Sequence, residues 1–479
     1  MTGVRPWRTA SGTFAQDTAT VAQWLAAHRA TVESSTVWSP CSPGDLLSAL
    51  PRQLPTDVCD LNAMLGELEQ FVMPGLVRWD APGWFAWFPS NGHPHSLLGD
   101  LLGAALGQQG MLWMSSPACT EVEIRTLEWL RQAIGLPERF AEGGRGGGVI
   151  QDTASSAVLS CLVAARDRST DGRAREEGMH AVGRLTVYAS DQSHSSVLKA
   201  VHLAGIGRAQ FRAVPVDEHQ AMEAAAFRDM VEADIANGCT PVFCCATVGT
   251  TASGAFDPVI DIAKACTDYG LWLHVDAAWA GTAALCETFR APIMAGADHA
   301  DSWCFNPHKW MGVNFDCSCL WLADRRPLIN AMSITPEYLR NDPTESGEVV
   351  DYRDWHVQLG RRFRALKLWL LLRCTGVQAL GAMVEHHVEL ATWLAMQVQD
   401  SDAFELAAPR SLGLVCLRHV NGDDATQLAL DTINADGRFA ATHCRLHDQL
   451  AIRIAIGTLD VEHAHVEALW SLLSASSPS

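Results

Sequence analysis

Lys309 lies in the short, proline-interrupted run Asn306-Pro307-His308-Lys309-Trp310. Upstream, Asp276 closes the apolar run Leu271-Trp272-Leu273-His274-Val275, which reads as a buried strand, and is followed by Ala277 and Ala278. A lysine amine condenses with an aldehyde, and a carboxylate keeps a heterocyclic nitrogen protonated. Pyridoxal phosphate (PLP) needs both from a protein, because its protonated ring then accepts electrons from a bond breaking at a substrate α-carbon. Alone, each residue is better read as a surface lysine or a strand-end aspartate. The pair, flanked by Trp and small residues suited to a close-packed site, favours the cofactor.

Other positions carry compatible chemistry. Thr153-Ala154-Ser155-Ser156 follows the glycine-rich turn Gly143 to Gly148 and precedes an apolar helix through Val158, Leu159, Leu162 and Val163. Backbone N–H groups at such a helix start, with hydroxyls beside them, suit a phosphate; simple capping by Ser and Thr is the plainer reading. Asp152 would repel a phosphate unless it points away. His194, in Asp191 to Ser196, follows the strand Leu185 to Ala189, where an imidazole could stack on a flat ring. Thr250 and Thr251 follow the strand Val242 to Val248 in the same way. Between Ser333 and Tyr352, prolines, Gly347 and acidic residues without apolar periodicity suggest a lid. Tyr338 and Tyr352 are its candidate general acids. The run Trp79 to Ser90 is rich in aromatic rings and broken by Pro82, Gly83 and Pro89, so some of Trp79, Trp87, Phe88 and Ser90 are expected to line a pocket. Such a pocket favours an aromatic or apolar substrate side chain.

These residues need a scaffold. Val21, Leu25, His28 and Val32 recur at helical spacing, and Val58, Leu61, Leu65, Leu68 and Val72 mark a second helix with Thr56 and Asp57 as cap candidates. A proline-rich arm from Ser39 to Pro55 joins them. Thr120 and Glu123 read as a capping box ahead of Ile124, Leu127, Leu130 and Ile134. Asp257, Pro258 and Gly270 bracket a further helix. With Ser318 to Leu322 as another buried strand, this alternation predicts an α/β sheet that binds ligands at its strands' carboxyl ends. From about Gly376 the pattern changes to helix, strands (Gly413 to Arg418 and Ala451 to Ile456) and a final helix, a smaller α+β domain. The expected division is 1–90, 91–375 and 376–479.

Composition narrows the function. The 479 residues carry a net charge of −19 with 48% hydrophobic and 19% charged residues, the balance of a soluble globular protein rather than a disordered or fibrous one. That acidity argues against nucleic acid as partner. No run is long enough to span a membrane, Leu366 to Leu372 being short and interrupted by Lys367. Met1 to Trp7 has no apolar signal core. The fifteen cysteines are odd in number and scattered without zinc-ligand spacing. They read as buried free thiols of a cytoplasmic protein, with no metal.

The chain resembles the group II PLP-dependent decarboxylases, and among them the aromatic-L-amino-acid decarboxylases. The likeness runs from Met73-Pro74-Gly75 to the carboxy terminus. It includes Phe88-Pro89, Ser116 to Glu121, Gly146 to Gln151, Asp191 to Ser196, His274 to Ala278, Asn306 to Trp310 and Leu359-Gly360-Arg361-Arg362-Phe363-Arg364. The resemblance implies that Lys309 is the Schiff-base lysine and Asp276 the pyridinium partner. Ala154, Ser155 and Asn306 become phosphate-side contacts, His194 the ring-stacking histidine, and Thr251, Ala278 and His308 further cofactor contacts. Tyr338 matches the lid tyrosine that protonates the α-carbon, and relatives forming aldehydes commonly carry Phe there. Gly360 matches aromatic-specific members. The resemblance further implies a type I PLP fold, with a mostly parallel seven-stranded sheet and a helical amino-terminal segment. It also implies a homodimer in which Gln109 and Met111 reach the neighbouring pocket. Asp152 and Ser156 depart from the family's usual Gly and Glu. The expected activity is decarboxylation of tryptophan, 5-hydroxytryptophan, tyrosine, phenylalanine or dopa to the amine. The alternatives are an aromatic acetaldehyde synthase and, more remotely, a non-catalytic scaffold of the same fold.

Overall fold

A computed structural model describes residues 13–56, 59–90 and 92–475, without the side chain of residue 338. Seven mainly apolar segments form its larger sheet: β1 (Gly147–Gln151), β2 (Arg184–Ser190), β3 (Phe211–Val214), β4 (Cys239–Thr247), β5 (Trp272–Asp276), β6 (Ser302–Phe305) and β7 (Ser318–Leu322). Their order is β1-β7-β6-β5-β4-β2-β3. The pairings from β3 through β6 are parallel, and β7 runs antiparallel to both β6 and β1. Helices cover both faces, so the central strands are buried on both sides and read as continuous apolar runs; every residue of β5 is buried. Leu127, Leu130 and Ile134 of the helix Pro117–Ile134 pack on one face. Val158, Cys161 and Leu162 of the helix Ala154–Ser169 pack on the other. Truncating such a leucine to alanine costs about 2–5 kcal/mol.

Two caps beside the large sheet differ from expectation. The helix Pro117–Ile134 is capped by Ser116, whose hydroxyl accepts from the Cys119 N–H, and closed by left-handed Gly135. Thr120 and Glu123 lie inside it. The helix Val259–Tyr269 has no side-chain cap. Asp257 instead accepts the backbone N–H groups of Met222 (2.8 Å) and Thr247 (2.7 Å), fastening the end of β4.

The second sheet holds β8 (Phe404–Leu406), β9 (Leu414–His419), β10 (Thr442–Leu446) and β11 (Gln449–Ala455), antiparallel in the order β10-β11-β9-β8. The strands read from the sequence correspond to β9 and β11, and the helices Val377–Gln399 and His463–Ala475 flank them in the chain. The aromatic run is laced onto this sheet: Phe85 N–H donates to Ala440 O (2.9 Å), and Ala455 N–H donates to Phe85 O (3.0 Å).

The amino-terminal helix Phe14–Ala30 has no buried residue. Leu61–Glu67 has none either, and its cap is Asp60, accepting from the Ala63 N–H. The expected cap Asp57 and first apolar residue Val58 lie outside the described residues, as does Met1 to Trp7. All fifteen cysteines are free, most of them buried. Among the described residues no helix is long and apolar enough to cross a membrane.

Candidate active site

The parallel strands end on one edge of the large sheet, where the last residue of β5, Asp276, and the segments following β2, β4, β5 and β6, with His194, Thr251, Ala278, and Asn306, His308 and Lys309, line a single cavity of about 180 Å³. The start of the helix Ala154–Ser169, just after β1, adds Ala154 and Ser155. All nine residues expected to contact the cofactor therefore line one cavity. Thr153, the residue preceding that helix, makes no side-chain cap, so the helix start beside the cavity is left without one. Asp152 does not line the cavity; its carboxylate accepts from the Thr153 N–H at 2.7 Å and so turns into its own loop.

The electrostatics follow from burial. Burial lowers the Lys309 amine below the ordinary lysine range, Asp276 opposes that shift, and Arg453 adds to it. Burial also lowers His194, with Asp276 raising and Lys309 lowering it. His194 Nδ1 accepts from the Ser196 N–H (3.2 Å), which assigns the neutral ring's proton to Nε2. His308 Nδ1 accepts from the Cys317 N–H (2.9 Å), and burial presses that ring to about 3, so it stays neutral. Asp276 is buried at the end of β5, with one carboxylate oxygen accepting from the Ala278 N–H (2.9 Å).

A larger recess of about 590 Å³ adjoins the first. Trp79, Trp87, Phe88 and Ser90 line it, and it shares Phe88, His194, Thr251, His308 and Lys309 with the smaller cavity. Trp79 and Trp87 stack at 5.4 Å, and Phe88 stacks on Trp279 at 4.7 Å. Lys309 Nζ stands 5.1 Å from the Phe88 ring centroid. A polar, anion-seeking chamber and an aromatic one thus meet at a single amine.

The donor set suits PLP. The buried Asn306 Oδ1 has no hydrogen-bond partner, although the residue lines the smaller cavity. Buried polar atoms are rarely left so. With the uncapped helix start it offers polar groups to a bound phosphate-bearing molecule.

Residues 43–420 match the family described as the pyridoxal-dependent decarboxylase conserved domain. The chain belongs to the pyridoxal-dependent decarboxylases. Aromatic-L-amino-acid decarboxylase of Bos taurus is 41% identical over 445 residues, covering 92% of this chain and 91% of the relative. Phenylacetaldehyde synthase of Arabidopsis thaliana is 39% identical over 459 residues, covering 94% and 93%. A crystal structure of Oryza sativa TDC with PLP and tryptamine superposes with a TM-score of 0.94 at 35% identity, covering 99% of each chain. The decarboxylase is therefore a PLP-dependent carboxy-lyase of the aromatic amino acid group, on an α/β type I fold.

Other expected residues fall elsewhere in the decarboxylase. Gln109, Met111 and Gly360 line neither cavity of their own chain. Gln109 and Gly360 are neighbours: a Cβ on Gly360 would stand 3.1 Å from Gln109 Nε2, while Gln109 Oε1 accepts from the Arg361 N–H at 2.7 Å. Tyr338 lies in the single turn Glu337–Leu339, and its side chain is outside the described structure. Tyr352 is excluded as a mobile phenol, since it is buried and donates to Gly148 O at 3.0 Å. Sequence reading missed Thr247, Gly249, Trp279 and Phe315 in the cavity walls. It also missed Arg453 behind them. The position of Thr247 and Gly249 at the end of a buried strand was an available signal, as was a lone arginine within the apolar run Ala451 to Ala455.

Proposed function

We propose that the decarboxylase removes the α-carboxylate of an aromatic L-amino acid and releases carbon dioxide and the arylalkylamine. One observation carries this reading: Lys309 lies on the boundary between the polar cavity and the Trp-lined recess and belongs to both linings. A substrate bonded near that amine has its polar end among His194, Thr251 and His308, and its side chain among Trp79, Trp87 and Phe88.

When bound, PLP supplies the electron sink for the bond broken at the α-carbon. Lys309 Nζ would hold its aldehyde, Asp276 would face its ring nitrogen, and Ser155, Asn306 and the helix start would hold its phosphate. Ala154 and Ala278 leave room at the wall. His194, neutral with Nε2–H as donor, orients the reacting groups without adding charge. Trp79, Trp87, Phe88 and Ser90 exclude water from the substrate ring. Tyr338, on the lid segment, delivers a proton to the substrate α-carbon once the carboxylate has left; its likeness to the lid tyrosine of amine-forming relatives supports that role.

The domain division at about residues 90 and 375 and a cytoplasmic setting belong to the same proposal, the latter supported by the free thiols. A homodimer with Gln109 and Met111 near the partner's recess also belongs to it. It is supported by the exposed Leu97, Leu98, Leu101 and Leu102 of the helix Pro94–Ala105, an apolar strip unusual on a monomer.

The test is carbon dioxide release by the PLP-loaded enzyme across tryptophan, 5-hydroxytryptophan, tyrosine, phenylalanine and dopa, with amine, aldehyde and peroxide assayed together. Carbon dioxide matched by amine supports the proposal. Matching aldehyde and peroxide would make the enzyme an acetaldehyde synthase, and no release from any of the five would overturn the reading.

A further inference from the structure

We infer that Arg453 is a positioning residue that sets the aromatic wall of the recess through the backbone carbonyls of Trp87 and Thr251. The inference rests on the aromatic-substrate reading above and adds a residue to that site from the second sheet.

Arg453 lies in β11, inside the apolar run Ala451 to Ala455, and is only 3% exposed. A buried cation is costly unless its hydrogen-bonding groups are used. This one commits two of its three nitrogens to backbone oxygen, Nε donating to Thr251 O at 2.6 Å and Nη1 donating to Trp87 O, while Nη2 is buried without a partner. The guanidinium also lies 4.3 Å from the centroid of the Phe88 ring. Trp87, Phe88 and Thr251 all line the recess, whereas Arg453 lines neither cavity. It therefore acts through them.

Trp87 shows why a hold is needed. Its φ is +47°, in the left-handed region that bulky side chains avoid. Thr442 stands directly opposite Arg453 in the β10–β11 register. The Thr442 hydroxyl accepts from the Trp87 N–H at 3.4 Å, while Arg453 donates to the Trp87 carbonyl. One cross-strand pair thus grips both ends of the strained residue and keeps its ring stacked on Trp79. Released, the backbone relaxes toward ordinary φ and the ring leaves the wall. Lysine cannot replace the grip, because an ammonium lacks the planar fork that reaches two carbonyls while stacking on a ring.

The experiment uses the full-length, PLP-loaded enzyme as wild type, Arg453→Lys, Trp87→Ala and the double variant. KM and kcat for tryptophan and phenylalanine are measured, with near-ultraviolet circular dichroism and cofactor content. Arg453→Lys should raise KM for tryptophan about tenfold or more, as expected for losing a charged hydrogen bond that orders the site, and change kcat less. In the Trp87→Ala background the same change should shift KM less than about twofold. The wild-type-minus-Arg453→Lys difference spectrum should match in position and sign the difference given by Trp87→Ala. Added guanidinium should restore KM in Arg453→Ala; should that variant not fold, the lysine variant and the double variant decide. Unchanged KM and spectrum in Arg453→Lys would overturn the inference, as would an equal KM effect with and without Trp87. A wild-type enzyme inert toward every aromatic amino acid would sink the functional reading alone. The dichroism, which needs no substrate, would then support or overturn the role of Arg453.

Discussion

Arg361 and Glu123 meet in a fork-on-fork pair, Nη2 to Oε1 at 2.8 Å and Nη1 to Oε2 at 3.0 Å, with each side chain 2% exposed. Both also grip β1: Glu123 Oε1 accepts from the Ile150 N–H (2.8 Å), and Arg361 donates to Ile150 O (2.9 Å). The guanidinium lies over Tyr352 at 4.6 Å. Ile150 stands four residues before Ala154, so this pair sets where β1 hands the chain to the uncapped helix start.

Removing one member strands a buried charge. Glu123→Gln should therefore destabilise the protein by about 3–5 kcal/mol and weaken PLP retention. The paired replacement Glu123→Leu with Arg361→Met should cost much less than the sum of the single changes. Chemical unfolding with a double-mutant comparison checks this; a Glu123→Gln loss below about 1 kcal/mol would refute it.

Lys309 is the amine common to both chambers. Lys309→Ala should abolish carbon dioxide release and the visible absorbance of the lysine-bound cofactor, while leaving the thermal midpoint of the cofactor-free protein within a few degrees of wild type. Absorption spectra after reconstitution, read beside a turnover assay, provide the check. Normal amine output with retained visible absorbance would contradict the assignment.

Much of the scaffold was legible because buried parallel strands announce themselves. β5 and β7 are short, wholly buried and mostly apolar, and polar residues at or soon after the carboxyl end of such a strand fall at the ligand-binding edge of the sheet, which is how Asp276 and His194 could be placed. Helix starts were less legible. Thr120 and Glu123 have capping-box spacing, yet Glu123 answers to Arg361, 238 residues away, while Ser116 ahead of Pro117 makes the cap. Tyr352 sits in lid-like composition, but its hydroxyl is committed to Gly148 O across the fold. A lone arginine in the apolar run Ala451 to Ala455 marks Arg453 as unusual, but its partners could not be read from its neighbours. Its acceptors Thr251 and Trp87 lie 202 and 366 residues upstream, and only the docking of the second sheet brings them together.

In the proposed reaction Tyr338 carries the choice of product. Tyr338→Phe should leave substrate consumption measurable but divert output from amine toward aldehyde, ammonia and peroxide, because the phenyl ring has no proton to deliver to the α-carbon. Product analysis under air and under nitrogen gives the readout. An unchanged amine yield in the variant would remove the tyrosine from the proton-transfer step.

Acid should unfold this protein early. Burial presses His274 to about 4 and His308, His356 and His387 to about 3, and all four are nearly or wholly enclosed. In the unfolded chain a histidine takes its proton near pH 6.5, whereas these folded ones refuse it until pH 3–4. The stability they contribute is therefore complete above about pH 6.5 and drains away as pH falls through that window. Asp257 works against them. Burial pushes its carboxyl up to about 7, so it holds a proton that the unfolded chain releases above about 4, and falling pH favours the fold through that group. The buried histidines outnumber the buried carboxyls Asp257 and Asp354 whose protons are held, so stability falls on balance between pH 6 and 4. The thermal midpoint should accordingly drop steeply below pH 6, and more steeply still in Asp257→Asn, where one opposing group is gone. Scanning calorimetry from pH 7.5 to 5 decides the matter: a midpoint that stays level across that range means these histidines find water or protons in the folded state.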